Sequence, residues 1–213
     1  MENKNIGHRI IKDINRVSAE LLTEIATFST TELCDGATVF NAMDYEIKPR
    51  TSNKKIVGPA ITVKVPIGAS VAAMKAIEIA QAGDIIVIDG HGCCNNALWG
   101  DMRSYMASLK NINGVVIDGA FRDIDENEDL DFPVFAKGLC CGAASKNESG
   151  EINVPISCGG VIVNPGDIIV GDRNGVVVVR PDEAKEIMKN ALDKRSSEEE
   201  KIKSFTNEIL KNK

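Results

Sequence analysis

The chain has 213 residues, 43% of them hydrophobic, and a formal net charge of −6. That size and apolar content suit one compact domain spanning residues 1–213 with a sizeable core. The acidic balance and the lack of a basic stripe interleaved with aromatics speak against nucleic-acid binding. With neither a run of 18 apolar residues nor a leader pattern, no membrane role and a cytoplasmic location are expected.

Residues 1–8 read as frayed. From Arg9 onward, Ile10, Ile14, Val17, Leu21, Ile25 and Phe28 fall on one helical face, predicting a helix from Arg9 to Phe28. Ser29 and Glu32 have capping-box spacing, so a second short helix starts near Thr30 and ends near Asp35-Gly36-Ala37. Residues 44–55, polar and broken by Pro49, read as a loop. Ile61, Val63 and Val65 alternate with Thr62 and Lys64, a strand pattern. Gly68–Ser70 then opens an alanine-rich helix through Ala80. Gly83-Asp84 leads into Ile85–Ile88, an unbroken apolar run that suits a strand covered on both faces. Asp89–Asn96 reads as a glycine-rich loop.

The segment Leu98–Glu126 organises the rest. Leu98, Met102, Tyr105, Met106 and Leu109 recur at helical spacing, predicting an amphipathic helix over 97–110. Gly100 and Asp101 lie in its first turn, where free backbone N–H groups favour an anion. Asn113-Gly114 marks a turn into the strand Val115–Ile117. Asp118, Arg122, Asp123, Asp125 and Glu126 follow. An arginine fork suits a carboxylate or phosphate, and crowded aspartates suit a hard cation. Carboxylates after a strand are equally the composition of a solvated turn.

The second half is β-rich, with short strands expected at 134–136, 139–144, 152–156, 160–163, 167–170 and 175–180. Turns at Asn147–Gly150, Gly159-Gly160, Asn164–Gly166 and Arg173–Gly175 separate them. Gly166-Asp167-Ile168-Ile169-Val170 echoes Gly83-Asp84-Ile85-Ile86-Val87, which reads as one turn chemistry used twice. Asp182 caps a final helix over 181–212. Ile187, Ala191, Ile202, Phe205 and Ile209 share one face of it, while Asp193–Lys203 is almost wholly polar, a solvated face or a lean on another subunit. The six cysteines show no C-x-x-C spacing and read as small buried thiols in a reducing compartment. Of the two histidines, His8 is expected in solvent and His91 beside a strand end.

The expected fold is therefore α/β, with a helix-covered, mainly parallel layer, a β-rich layer and a long C-terminal helix. The motifs Gly92…Leu98-Trp99-Gly100-Asp101, Gly114–Asp123, Pro133–Gly138 and Pro165–Asp172 resemble the RraA-like family, which holds 4-hydroxy-4-methyl-2-oxoglutarate aldolases and regulators of ribonuclease E. The resemblance runs from about residue 20 to residue 205. It implies the swivelling β/β/α fold, assembled as a homotrimer or dimer of trimers with active sites at subunit interfaces. It also implies roles for single residues. Arg122 would hold the substrate carboxylate, Asp123 a metal, and Asp101 the metal's water. Glu126 would be an acid that the regulators lack. A C-terminal acid such as Glu199 would come from a neighbouring subunit. Gly100, Asp101, Met102 and Arg103 would line the substrate, and Arg103 departs from the apolar residue more common there. Oxygen donors favour Mg²⁺ or Mn²⁺ over zinc. The function so implied is metal-dependent cleavage of a 4-hydroxy-2-oxo acid to pyruvate and a second 2-oxo acid, with oxaloacetate decarboxylation on the side. The alternative is a non-enzymatic regulator that binds a ribonuclease. A menaquinone-precursor methyltransferase, a label the family sometimes bears, lacks support from any glycine-rich cofactor loop.

Overall fold

The computed structural model describes residues 8–37, 41–146 and 149–211. The frayed start at 1–7, Asn147 and position 148 of one expected turn, and position 212 of the last helix lie outside the described residues. The strands are β1 (Lys48–Pro49), β2 (Ile56–Lys64), β3 (Ile85–Trp99), β4 (Gly114–Phe121), β5 (Val134–Leu139), β6 (Glu151–Ile152), β7 (Ile156–Cys158), β8 (Val161–Val163), β9 (Ile168–Asp172) and β10 (Gly175–Val179). The helices are α1 (Ala19–Ile25), α2 (Thr30–Gly36), α3 (Val71–Ile79), α4 (Asp101–Leu109), α5 (Ile124–Asp129) and α6 (Ala184–Lys211).

One sheet carries the molecule, in the order β1-β5-β4-β3-β2-β9-β10, with β6 also on β2 and β7–β8 a separate hairpin. The centre, β2-β3-β4-β5, is parallel, and α3, α4 and α5 are its crossovers. The flanks are antiparallel. Lys48 of β1 donates to the carbonyl of Asn174 in the β9–β10 turn, so the two ends of the sheet nearly close.

Strand alternation sorts the core into layers. Ile86, Ile88, Val115, Ile117 and Phe121 face the helices, with Ala73 and Ala76 of α3 packed on them. Ile85, Val87, Val116 and Phe135 face the opposite side with Val154, Ile156 and Val163. A third cluster joins α1, α2 and the start of α6 to β9 and β10. The unbroken apolar runs are thus strands covered on both faces. The capping box at Ser29 and Glu32 forms as expected. The echoed turns share one geometry. Gly83 and Gly166 both have positive φ, and Asp84 and Asp167 each accept from the backbone N–H three residues earlier, Gln81 and Asn164.

Five expectations change. The helix expected from Arg9 to Phe28 is helical only at Ala19–Ile25, capped by Ser18. Upstream, Ile10 bridges Ile152, and Arg9 clasps Glu151. Tertiary pairing there overrides a period that both forms can satisfy. The expected loop Asp89–Asn96 is part of β3, made loop-like in composition by register shifts and by left-handed His91 and Gly92. Residues 97–99 belong to β3, so the helix expected over 97–110 starts at Asp101. Its apolar face is turned outward: Met102, Tyr105 and Leu109 are exposed while Ser104 and Ala107 are buried. Only small residues allow α4 its close approach to the sheet. Residues 140–144 form no continuous strand. Among the six cysteines, all free, only Cys158 is fully buried and Cys141 is exposed, against the expectation of buried thiols.

Candidate active site

Parallel pairing puts Trp99 beside Phe121, so β3 and β4 end together. The residues after those ends, Gly100-Asp101 and Arg122-Asp123, therefore meet. Asp123 adopts the left-handed conformation, φ 62° and ψ 54°, which aspartate tolerates better than most residues. Its Oδ2 accepts from the Asp101 N–H at 3.3 Å and lies 3.3 Å from Arg122 Nε. That is long for a charge-assisted contact, so the pair leaves bonding capacity free. Gly100 has extended backbone, and its requirement is steric. A Cβ there would stand 2.5 Å from Asp123 Oδ2. Glycine is what lets the carboxylate reach the N-terminus of α4.

A buried polar chain holds this turn. Trp99 Nε1 donates to Ser104 Oγ at 2.7 Å, and Ser104 donates to Asn127 Oδ1. Asn127 Nδ2 donates to the carbonyls of Arg122 and Asp123. Ser104 and Asn127 are wholly buried, and each member of the chain is satisfied, the condition under which such networks rigidify a site. Trp99 also stacks on Phe132, with ring centroids 6.3 Å apart.

The pair opens on a cavity of about 250 Å³ lined by Ser70, Met74, Trp99, Gly100, Asp101, Met102, Arg103, Arg122, Asp123 and Lys146, with small residues Ala97, Ala143 and Ala144. The size suits a small acid rather than a dinucleotide. The N-termini of α3 and α4 both reach it; the Ser70 side chain does not cap α3, and Gly100 has no side chain with which to cap α4. Arg103 Nη2 donates to Ser70 Oγ at 3.0 Å and to its carbonyl at 3.3 Å. Burial first, then neighbouring Arg122, pushes the Arg103 guanidinium below its ordinary value.

Six of the residues singled out in the sequence thus meet: Gly100, Asp101, Met102, Arg103, Arg122 and Asp123. Glu126 is exposed on α5 and Glu199 is exposed on α6, and neither lines this cavity. Asp118, grouped with them by sequence, points the other way. It is 9% exposed within β4, where its Oδ2 accepts from the Gly159 N–H. The positioning residues Ser104 and Asn127 went unread, because a lone serine and a lone asparagine on short helices carry no pattern. Ser70 could have been suspected as the cap of an expected helix. His91 Nε2 donates to the Val65 carbonyl at 2.9 Å, and the ring lines a separate cavity of about 460 Å³ with His8, Lys64 and Glu151. That cavity is larger, yet it lacks the convergent helix ends and arginines of the first.

Asp123 and Asp101 offer oxygen donors beside open space. Among the described residues no three His, Cys, Asp or Glu side chains are grouped to hold a metal. A donor set this sparse fits a hard cation such as Mg²⁺, which keeps several waters and takes further ligands from its substrate.

The family model described as Aldolase/RraA, RraA-like, matches residues 30–178. A Halalkalibacterium halodurans protein that bears the provisional name 4-hydroxy-4-methyl-2-oxoglutarate aldolase is 38% identical, over 92% of this chain and 94% of its own length. The Streptomyces coelicolor protein RraAS2, described as an unusual member of the RNase ES inhibitor RraA family, superposes with a TM-score of 0.80 at 28% identity, over 89% of this chain and 100% of that one. The RNA-processing inhibitor RraA from Thermus thermophilis superposes with a TM-score of 0.67 at 27% identity, over 72% of this chain and 93% of that one.

Proposed function

The chain belongs to the RraA-like family, and from its cavity we propose that it is a metal-dependent aldolase cleaving a 4-hydroxy-2-oxo acid, such as 4-hydroxy-4-methyl-2-oxoglutarate, to pyruvate and a second 2-oxo acid. The observation that carries this reading is the Arg122–Asp123 turn, held open against the N-terminus of α4 at the cavity wall. A regulator that acts by masking a partner has no need of a cavity lined by arginines and carboxylates.

Each wall residue has a task. Arg122 holds the C1 carboxylate through paired N–H donors, which fixes the plane of the 2-oxo acid. In the first turn of α4 the N–H groups of Asp101 and Arg103 are already bonded, to Asp123 and the Gly100 carbonyl, and that of Met102 takes further carboxylate oxygen. Asp123 is the residue that would hold Mg²⁺ or Mn²⁺, and such a cation supplies a Lewis acid for the 2-oxo group. Asp101 receives the proton of the 4-hydroxyl, directly or through water. The C3–C4 bond then breaks, C4 becomes the carbonyl of the departing oxo acid, and the bonding pair passes toward the C2 carbonyl. A proton returned to C3 completes pyruvate. Oxaloacetate would lose CO₂ to the same electron sink.

Exposed Met102, Tyr105 and Leu109 on α4, the first of them lining the cavity, support a homotrimer or dimer of trimers in which Glu199 comes from a neighbouring subunit. The test is pyruvate release from a panel of 4-hydroxy-2-oxo acids with Mg²⁺ or Mn²⁺ and with chelator. Turnover lost on chelation supports the reading. Inactivity throughout, with stable capture of a ribonuclease, reverses it in favour of the regulator.

A further inference from the structure

Resting on the aldolase reading, we propose that Arg103 is the residue that receives the substrate's second carboxylate, the one on its hydroxy-bearing half, and so selects for it.

Arg103 has no carboxylate partner among the described residues, although its Nε is buried from solvent and without a hydrogen-bond partner. A half-buried guanidinium without an anion is costly, and it stands beside another cation, Arg122. Ser70 fixes the fork and, in doing so, leaves the N-terminus of α3 without its side-chain cap. A carboxylate seated between Arg103 and that helix end would satisfy both at once. The balance of the wall agrees: Arg103, Arg122 and Lys146 face only Asp101 and Asp123. One carboxylate on Arg122 would leave Arg103 uncompensated, and a divalent cation would widen the excess. A neutral tail would shut Arg103 in with only the neutral oxygens of Ser70 as partners. The geometry therefore separates two classes of substrate, acids with an acidic tail and acids with a neutral one.

Arg103 also ties α4 to the Ser70 carbonyl, so a merely structural role must be told apart. Calorimetry of the full chain in Mg²⁺, with 2-oxoglutarate and 2-oxopentanoate, isolates the second carboxylate, since the two share one carbon skeleton. We expect the native protein to bind 2-oxoglutarate about 30-fold more tightly, R103M to reduce that ratio to about 3-fold or less, and R103K to restore part of it. A structural role would weaken both ligands alike and leave the ratio unchanged. An equal affinity of the native protein for both, or a ratio that survives in R103M, overturns the proposal. So does binding of neither. Should R103M fail to fold by circular dichroism, R103K and R103Q carry the same comparison. The kinetic arm uses 4-hydroxy-2-oxoglutarate against 4-hydroxy-2-oxopentanoate. Turnover of both with no preference overturns the Arg103 assignment alone, whereas turnover of neither overturns the aldolase reading itself.

Discussion

Two arginine–aspartate pairs in this molecule do opposite things. Arg16 and Asp84 are far apart in sequence, yet they meet in a two-pronged contact of 2.8 and 2.7 Å with Asp84 wholly buried. Asp84 accepts a third bond from the Gln81 N–H and is closed off from solvent, so it is out of reach of a ligand. Arg122 and Asp123 are neighbours in sequence and meet through one contact of 3.3 Å, with side chains 43% and 29% exposed. The first pair fastens the N-terminal segment to the turn before β3. The second is held apart by a left-handed backbone and by Asn127, and both members keep free bonding capacity. Saturation marks a structural pair, and incompleteness at a cavity wall marks one that awaits a ligand.

The largest effect should come from Asp123→Asn, chosen because asparagine also tolerates the left-handed backbone. Metal affinity in a Mn²⁺ titration should fall sharply and turnover should drop more than about 1000-fold, since Asp101 would be left as the one acid at the wall and, among the described residues, no group of three His, Cys, Asp or Glu stands ready to hold the ion. The fold should survive by circular dichroism. Unchanged metal binding would show that Asp123 is not the ligand. Arg16→Ala tests the other pair. It leaves the Asp84 carboxylate buried without its counter-ion and should cost about 3–5 kcal/mol in urea unfolding, with little change in metal affinity. A loss below about 1 kcal/mol would remove the distinction between the pairs. Arg122→Ala should cost about 2–4 kcal/mol of transition-state binding, or roughly 30- to 1000-fold in kcat/KM, while stability and metal affinity hold.

The smallest effect belongs to a pair of intermediate character. Arg195 of α6 first, helped by Ser29, holds the Glu32 carboxyl down to about 2. Its folded value lies below its unfolded value of about 4.5, so the stabilisation is present above that value and is lost as pH falls toward about 2. Both side chains are partly exposed, and solvent screening leaves about 1 kcal/mol. Glu32→Gln should therefore be less stable than the native chain at pH 6 and equal to it near pH 2. A gap that persists at the acid end would assign the effect to packing instead.

Much of the architecture was legible because it rests on local chemistry. The Ser29–Glu32 cap, the twin Gly-Asp turns and the apolar runs each act within a few residues, and each formed as read. That Gly100–Arg103 and Arg122-Asp123 come together has a related reason. Charged groups just beyond the ends of neighbouring parallel strands must meet wherever those ends are in register. Strand alternation also turned Asp118 away, which the length of β4 settled and the sequence cluster concealed.

What composition and period could not supply was the partner of each face. The same spacing that marks α4 as a helix does not say whether Met102, Tyr105 and Leu109 meet this chain or another surface, and the fold turns them outward. Residues 10–18 carry a helical period yet form no helix, and at Arg9–Ile11 the contacts are strand-like, made with Ile152 and Glu151 from across the sequence. Ser104, Asn127 and Ser70 acquire their roles only when β3, β4 and three helices converge on one turn. Local propensity is encoded in neighbours along the chain. Burial, saturation and the vacant donors of a site are properties of groups brought together from far apart, and only the tertiary structure decides them.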